Sequence, residues 1–284
     1  MRLFVFLMLL FTVTQAKPVV IVSAYPIYDF VSVIAKDEVS LILLLPPNSD
    51  PHSFEPTPKD IVNIGNADIF FYISPEFEPW AQRFVKKAKS AIFVADKKHE
   101  DHYDNDKERH DPHVWLDPEE VVEIVEIIAE NLKNILPENA DFFEKNAKNL
   151  LTQINDLDME YKIKFERCEH RKVFFTGHNS FVGFAKRYGL QIIPITQSFS
   201  STSEPSAKQI AIIIDEIHKS GAKFIYYDVH SGISAAKTIA KETQTQILPL
   251  FTIHTTSRDD FAKKVHYIEY MKRNYENLLR GLQF

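Results

Sequence analysis

The stretch KPVVIVSAYPIYDFVSVIAKDEVSLILLLPP, residues 17–47, decides the fold. Its opening, KPVVIVSAYP, is rich in β-branched residues with no polar face, as a strand buried on both sides requires. A helical segment over residues 28–35 follows. VSLILLLPP (39–47) is a second strand, stopped by Pro46 and Pro47. Strand, helix and strand within about thirty residues make a parallel βαβ unit.

The same alternation continues downstream. TPKDIVNIG (57–65) opens a helix, with Thr57 as N-cap, Pro58 in the first helical position and Asp60 in the first turn. ADIFFYI (67–73) is a third strand, PEFEPWAQRFVKKA (75–88) carries a helical apolar stripe, and AIFVA (91–95) is a fourth strand. Residues 97–112, KKHEDHYDNDKERHDP, lose all apolar periodicity and read as a polar, acidic, histidine-rich loop. From Asp117 the pattern is helical for some fifty residues, interrupted at Pro137. The second part of this run, within 137–168, is one long amphipathic helix and a linker between two halves. A second alternating block then repeats the scheme. KVFFT, LQIIPI, KFIYYDV and QILPLF are its strands. Its helices are NSFVGFAKRYG with Asn179 as cap, SEPSAKQIAIIIDEIHKSG opening at Ser203-Glu204-Pro205, SAAKTIAKE, and a closing helix through 259–282. The expected fold is α/β, with two lobes, each a mostly four-stranded parallel sheet flanked by helices, joined by one long linker helix. The lobes are 17–136 and 169–284.

Composition narrows the function. A net charge of −6 over 284 residues lacks the basic face that nucleic acid needs. The seven glycines are too scattered for a GxGxxG or Walker-type phosphate loop. Residues 1–16 read as a signal peptide: Arg2, an apolar core over 3–13, and a small-residue cleavage site at Ala16. A protein exported to the periplasm is therefore expected. Cys168 is the only cysteine, so no internal disulfide can form, and its neighbours place it at a solvated helix end as an inert surface or half-buried thiol.

Eleven histidines remain to be explained. His52, His113, His178 and His254 each lie in a loop just beyond an apolar strand-like run or ahead of a helix start. In parallel α/β sheets, the carboxyl ends of the strands line the binding crevice. Two histidines from each lobe can then face one another across a cleft. Converging neutral imidazoles suit a borderline cation such as Zn²⁺. An Asp-Pro pair precedes both His52 and His113, and its carboxylate can orient the ring. Asp228 and His230, in YYDVHSG, also follow a strand, and either is a ligand, an orienting group or a turn residue. His170, His218 and His266 lie on helical stretches among charged residues and read as surface positions. His99, His102 and His110, within the polar loop, read as solvated or as a weak collector of metal.

At these residues the chain resembles the periplasmic zinc- and manganese-binding receptors of ABC metal importers, the zinc-binding type in particular. The motifs are DPHSFEPTPKDI around His52, DPHVWLDP around His113, TGHNSFVGFAKRYGL around His178, SEPSAKQI, YYDVHSGISAAKTIAKE and YIEYMKRNYENLLRGL. The resemblance spans essentially the whole chain after the leader. It implies that His52, His113 and His178 ligate a metal ion carried as cargo and handed to a membrane permease, by a monomer that performs no reaction. It also places a histidine-rich acidic loop where 97–112 lies. One departure matters: the family commonly carries an aspartate where this chain has His254. The fourth ligand is then His254, Asp228 or water, with Asp259 and Asp260 further candidates if their loop folds back. Loss of the aspartate favours Zn²⁺ over Mn²⁺, which prefers oxygen. Two other classes stay open: a zinc hydrolase with Asp228 or Glu204 as base, and a surface adhesin that keeps metal only for structure.

Overall fold

The computed structural model describes residues 16–51, 53–95, 111–196 and 205–283. The leader, His52, most of the histidine-rich loop and Glu204 lie outside them. Each lobe is built on a four-stranded parallel sheet. The first comprises β1 (Val19–Val22), β2 (Ser40–Leu43), β3 (Ile69–Tyr72) and β4 (Ala91–Phe93), in the order β2-β1-β3-β4. The second comprises β5 (Lys172–Phe175), β6 (Gln191–Pro194), β7 (Phe224–Asp228) and β8 (Gln246–Leu250), in the order β6-β5-β7-β8. The lobes thus share one topology, and the order reverses between β1 and β3, and again between β5 and β7. Such switch points open a crevice at the carboxyl ends of the strands.

Strand periodicity sorts the core into layers. Val20, Val22, Ile69, Phe71, Val173, Phe175 and Tyr226 face one large cluster that runs through both lobes. Ile21, Phe70 and Tyr72 face a smaller cluster on the outer side of the first sheet. Phe174 and Ile225 do the same on the second. The side-chain period of two puts alternate residues on opposite faces, and both faces are covered.

The shared cluster is filled by helices α1 (Tyr25–Ala35), α3 (Pro118–Ile135), α4 (Ala140–Glu166) and α9 (Tyr267–Leu282). α3 stops at Leu136, one residue before Pro137, and the 27-residue α4 is the long linker. It is pinned by Asn146 Nδ2, which donates to Ile34 O at 2.9 Å. Asp158 on α4 takes a two-pronged contact from Arg187, with Nε at 2.7 Å and Nη2 at 2.6 Å, and a 2.6 Å bond from Tyr188 Oη. Burial pushes the Asp158 carboxyl up, but these donors outweigh it and the net shift is downward. Among the described residues no helix is long and apolar enough to cross a membrane.

Several local expectations change. α1 begins at Tyr25 rather than at Tyr28, because Pro26 fits the first turn. Residues 75–88 form two short 3-10 turns, Ala81–Arg83 and Val85–Lys87, instead of one helix. Pro75 and Pro79 remove two amide donors there, and Trp80 packs under the first sheet. α5 is Val182–Tyr188 with Phe181 at its cap, not Asn179. α6 is Ala207–Ser220, capped reciprocally by Ser206 and Gln209. α7 is Ser234–Thr243. The closing helix is two: α8 (Arg258–Ala262) and α9, broken where Lys264 takes φ 55°. α2 (Pro58–Asn66) carries the expected Thr57–Asp60 capping box. Cys168 is buried rather than superficial, which pushes its thiol up. His266 is exposed, as expected, with its Nδ1 2.7 Å from Asp29 Oδ1.

Glu78 is a buried acid at the bend before the first 3-10 turn. Its Oε2 accepts the Ile73 N–H at 2.6 Å, and burial pushes the carboxyl up to about 8. The folded state therefore holds this proton more tightly than the unfolded chain does. The resulting stabilisation is full below the ordinary carboxyl range near 4.5 and is lost as pH rises through about 8. Glu78→Gln removes the titration. Urea midpoints measured from pH 5 to 8.5 will decline in the unaltered protein, and that part of the decline will vanish in the variant.

Candidate metal centre

The cleft residues come from both lobes. His113 precedes a 3-10 turn (Val114–Leu116) that leads, through the capping Asp117, into α3. Burial pushes the Asp117 carboxyl up to about 6. His178 lies three residues beyond β5, Asp228 ends β7 and His254 lies four residues beyond β8. All four are buried, with relative exposures of 1%, 2%, 0% and 2% for His113, His178, Asp228 and His254.

His113 and His178 meet directly, with their Nε2 atoms 3.0 Å apart and their ring centroids 5.0 Å apart. Two imidazoles on one tetrahedral ion, each with Zn–N of about 2.0–2.1 Å, would hold their nitrogens roughly 3.4 Å and their centroids roughly 5 Å apart. The pair therefore sits at ligand spacing. The His254 ring is 6.1 Å from that of His178, somewhat wider than this ideal. Among the described residues no group of three His, Cys, Asp or Glu side chains is arranged to hold an ion. The His52 position lies outside the described residues.

The surroundings hold the His113 and His254 rings through their Nδ1 atoms. His113 Nδ1 donates to Asp111 Oδ1 at 2.7 Å, since a carboxylate oxygen accepts, and this leaves Nε2 as the unprotonated nitrogen of a neutral ring. Asp111 Oδ1 also accepts the His113 backbone N–H at 3.0 Å, while its Oδ2 accepts Val182 N–H at 2.9 Å and Gly183 N–H at 3.3 Å. One carboxylate thus orients the His113 ring and grips the start of α5. The His113 ring is further wedged by Phe77 and Trp115, with centroids 5.6 and 5.3 Å away. Asp111→Asn is expected to weaken zinc binding by about 10–100-fold, the usual loss on removing a ligand's hydrogen-bonded partner. Competition against a chromophoric chelator measures it.

Asp228 is engaged elsewhere. It accepts Ser231 Oγ at 2.7 Å, the His230 N–H at 3.1 Å and Thr252 Oγ1 at 3.3 Å. With its hydroxyl proton given to Asp228, Thr252 Oγ1 accepts from His254 Nδ1 at 2.8 Å, which leaves Nε2 of His254 as the unprotonated nitrogen of a neutral ring. Asp228 also lies 3.9 Å from His178 Nδ1. It thus acts on the His254 ring through Thr252, while its distance to His178 is beyond a hydrogen bond. Burial pushes its carboxyl up and pushes the neighbouring His230 imidazole down.

His230, a minor candidate in the sequence, packs its ring 5.4 Å from His254. Thr252 and Ser231 gave no sequence signal, because a hydroxyl in a loop resembles any turn residue. Asp260 accepts from Tyr270 Oη at 3.0 Å and acts electrostatically on the His230 imidazole, while Asp259 is exposed.

A cleft between two like α/β lobes, floored by buried imidazoles, defines a two-lobed solute-binding receptor. A family model described as "Zinc-uptake complex component A periplasmic" (ZnuA) matches residues 20–281, and the chain belongs to that family. It is 34% identical over 279 residues to the high-affinity zinc uptake system protein ZnuA of Bacillus subtilis, covering 93% of this chain and 87% of that one. It is 32% identical to the zinc-binding protein AdcA of Streptococcus pyogenes, covering 93% of this chain but only 57% of the longer relative. Among solved structures, the Zn(II)-bound ZnuA-like domain of Streptococcus pneumoniae AdcA superimposes with a TM-score of 0.82. Its identity is 26%, over 95% of this chain and all of that one.

Proposed function

We infer that this protein is an extracytoplasmic zinc receptor, which takes up Zn²⁺ between its lobes and delivers it to the permease of an ABC importer. The observation that carries the reading is the buried His113–His178 pair at ligand spacing, one ring from each lobe. We assign 17–136 and 169–284 as the lobes and 137–168 as the linker. His52 joins the pair through its motif, and His254 takes the fourth place, its Nε2 presented by the Asp228–Thr252 chain. An imidazole-rich set favours Zn²⁺ over Mn²⁺. The relatives' names, zinc uptake and zinc binding, support the same metal. Residues 1–16 act as the leader that directs export to the periplasm.

A hydrolase reading finds no support at Asp228, whose oxygens are already taken by Ser231, His230 and Thr252. The receptor needs no reaction, and a monomer suffices. Calorimetric titration of the chain with Zn²⁺ tests the reading. One tight equivalent is expected, and His254→Ala should weaken it by at least about tenfold. Unaltered affinity in that variant would transfer the fourth place to water, and no tight equivalent in the unaltered protein would end the reading.

A further inference from the structure

Ile253 stands immediately before His254 with a backbone φ of 59°. Among the described residues, Lys36, Asn48, Gln244 and Lys264 are the others besides glycine with positive φ. Lys36, Gln244 and Lys264 lie at or just past helix ends, where the chain commonly turns this way. Asparagine tolerates the left-handed region better than most residues. Neither reason applies to Ile253. It is β-branched, and for such a side chain a positive φ is a true outlier that the free chain avoids.

The surrounding structure holds it there. The Ile253 side chain is buried in the large cluster that runs through both lobes. The backbone is fastened on either side. Asn274 brackets Phe251, accepting its N–H and donating to its carbonyl, both at 2.8 Å. Trp115 Nε1 donates to Thr252 O at 2.8 Å. Beyond His254, the Asn48 N–H donates to Thr256 O at 2.9 Å, and the Thr256 and Tyr270 hydroxyls lie 2.6 Å apart. A strained residue persists only where its surroundings over-determine it, and such residues gather at functional sites. Across this turn the His254 ring folds back onto Thr252, with Nδ1 2.8 Å from Oγ1.

We propose that Ile253 is a positioning residue for His254. Its buried side chain, with the bonds that flank it, keeps the backbone in a left-handed turn and so fixes the direction of the imidazole before any ion arrives. The proposal rests on the reading of His254 as the fourth zinc ligand. A ring already held in one direction loses little freedom on coordination, which strengthens binding without a new contact. With the anchor gone, the ion itself must order the loop.

A double-mutant cycle on the full chain tests this, with zinc affinity read by chelator competition and folding by circular dichroism. Ile253→Gly accepts the turn but frees the backbone, and should weaken binding by about tenfold, the lower end of the loss on removing a ligand's orienting partner. Ile253→Ala disfavours positive φ and lacks the anchor, so it should lose at least as much. Ile253→Val, which keeps a β-branched anchor, should recover most of that loss. In a His254→Ala background, Ile253→Gly and Ile253→Ala should cause no further loss, because no ring remains to be aimed. The two truncations guard against failure of one to fold. Zinc affinity equal to that of the unaltered chain in folded Gly and Ala variants would overturn the proposal. So would an equal loss with and without His254, which would assign Ile253 to general packing alone. Unaltered affinity in His254→Ala by itself would instead overturn the fourth-ligand reading, and the proposal with it.

Discussion

His113→Ala will lower zinc affinity by more than about 100-fold, beyond the loss typical of a ligand's orienting partner. The ring supplies half of the His113–His178 pair, and its Nε2 is held in place by Asp111, Phe77 and Trp115. Truncation leaves Asp111 still bonded to Val182 and Gly183, so the grip on α5 survives. Thermal unfolding of the metal-free variant should thus stay close to that of the unaltered protein while the affinity collapses. A chelator competition titration reads the affinity. A loss under about threefold would show that the ring has a packing role alone.

Trp115→Ala should cost about 3–5 kcal/mol of stability, the range for deleting a buried large aromatic. Trp115 is fully buried, and its ring lies 4.8 Å from that of Phe77. Its Nε1 donates to Thr252 O at 2.8 Å, so an N-terminal-lobe side chain satisfies a carbonyl of the C-terminal lobe two residues before His254. Against a total folding stability of about 5–15 kcal/mol, this is a large fraction. Trp115→Phe keeps most apolar contact but leaves that carbonyl without its donor, at about 1–3 kcal/mol. Urea denaturation of the metal-free protein should rank the three chains in that order. Equal midpoints for Phe and Ala would assign the whole effect to the hydrogen bond.

Much of this molecule is legible in its sequence because both sheets are parallel and covered on both faces. Such strands appear as short apolar runs between helical segments, and residues 17–47 already contain the unit that each lobe repeats. Local capping was equally clear at Thr57, where side chain and backbone close a ring within three residues. Apolar spacing failed over 75–88. The stripe there is genuine, but two prolines and the buried Glu78 turn the chain into 3-10 turns. The break at Lys264 escaped for a different reason. It depends on distant partners, with Asp29 taking the His266 ring and the Tyr267 N–H.

The centre divides in the same way. His113 and His178 could be picked out because each follows a strand end or precedes a helix start, and the structure brings the two together. The Asp111 contact with the His113 ring was legible from the Asp-Pro pair before it, but the reach of Asp111 across 71 residues to α5 was not. Asp228 illustrates the limit most clearly. From sequence it was a ligand, an orienting group or a turn residue, and only the fold shows that its oxygens accept from Ser231, His230 and Thr252.

Anomalous diffraction at the zinc absorption edge, on crystals of protein purified without added metal, tests the central claim most directly. A single strong peak is expected within about 2.0–2.3 Å of the Nε2 atoms of His113 and His178. A peak elsewhere, with those two nitrogens still in mutual contact and no ion between the lobes, would contradict it.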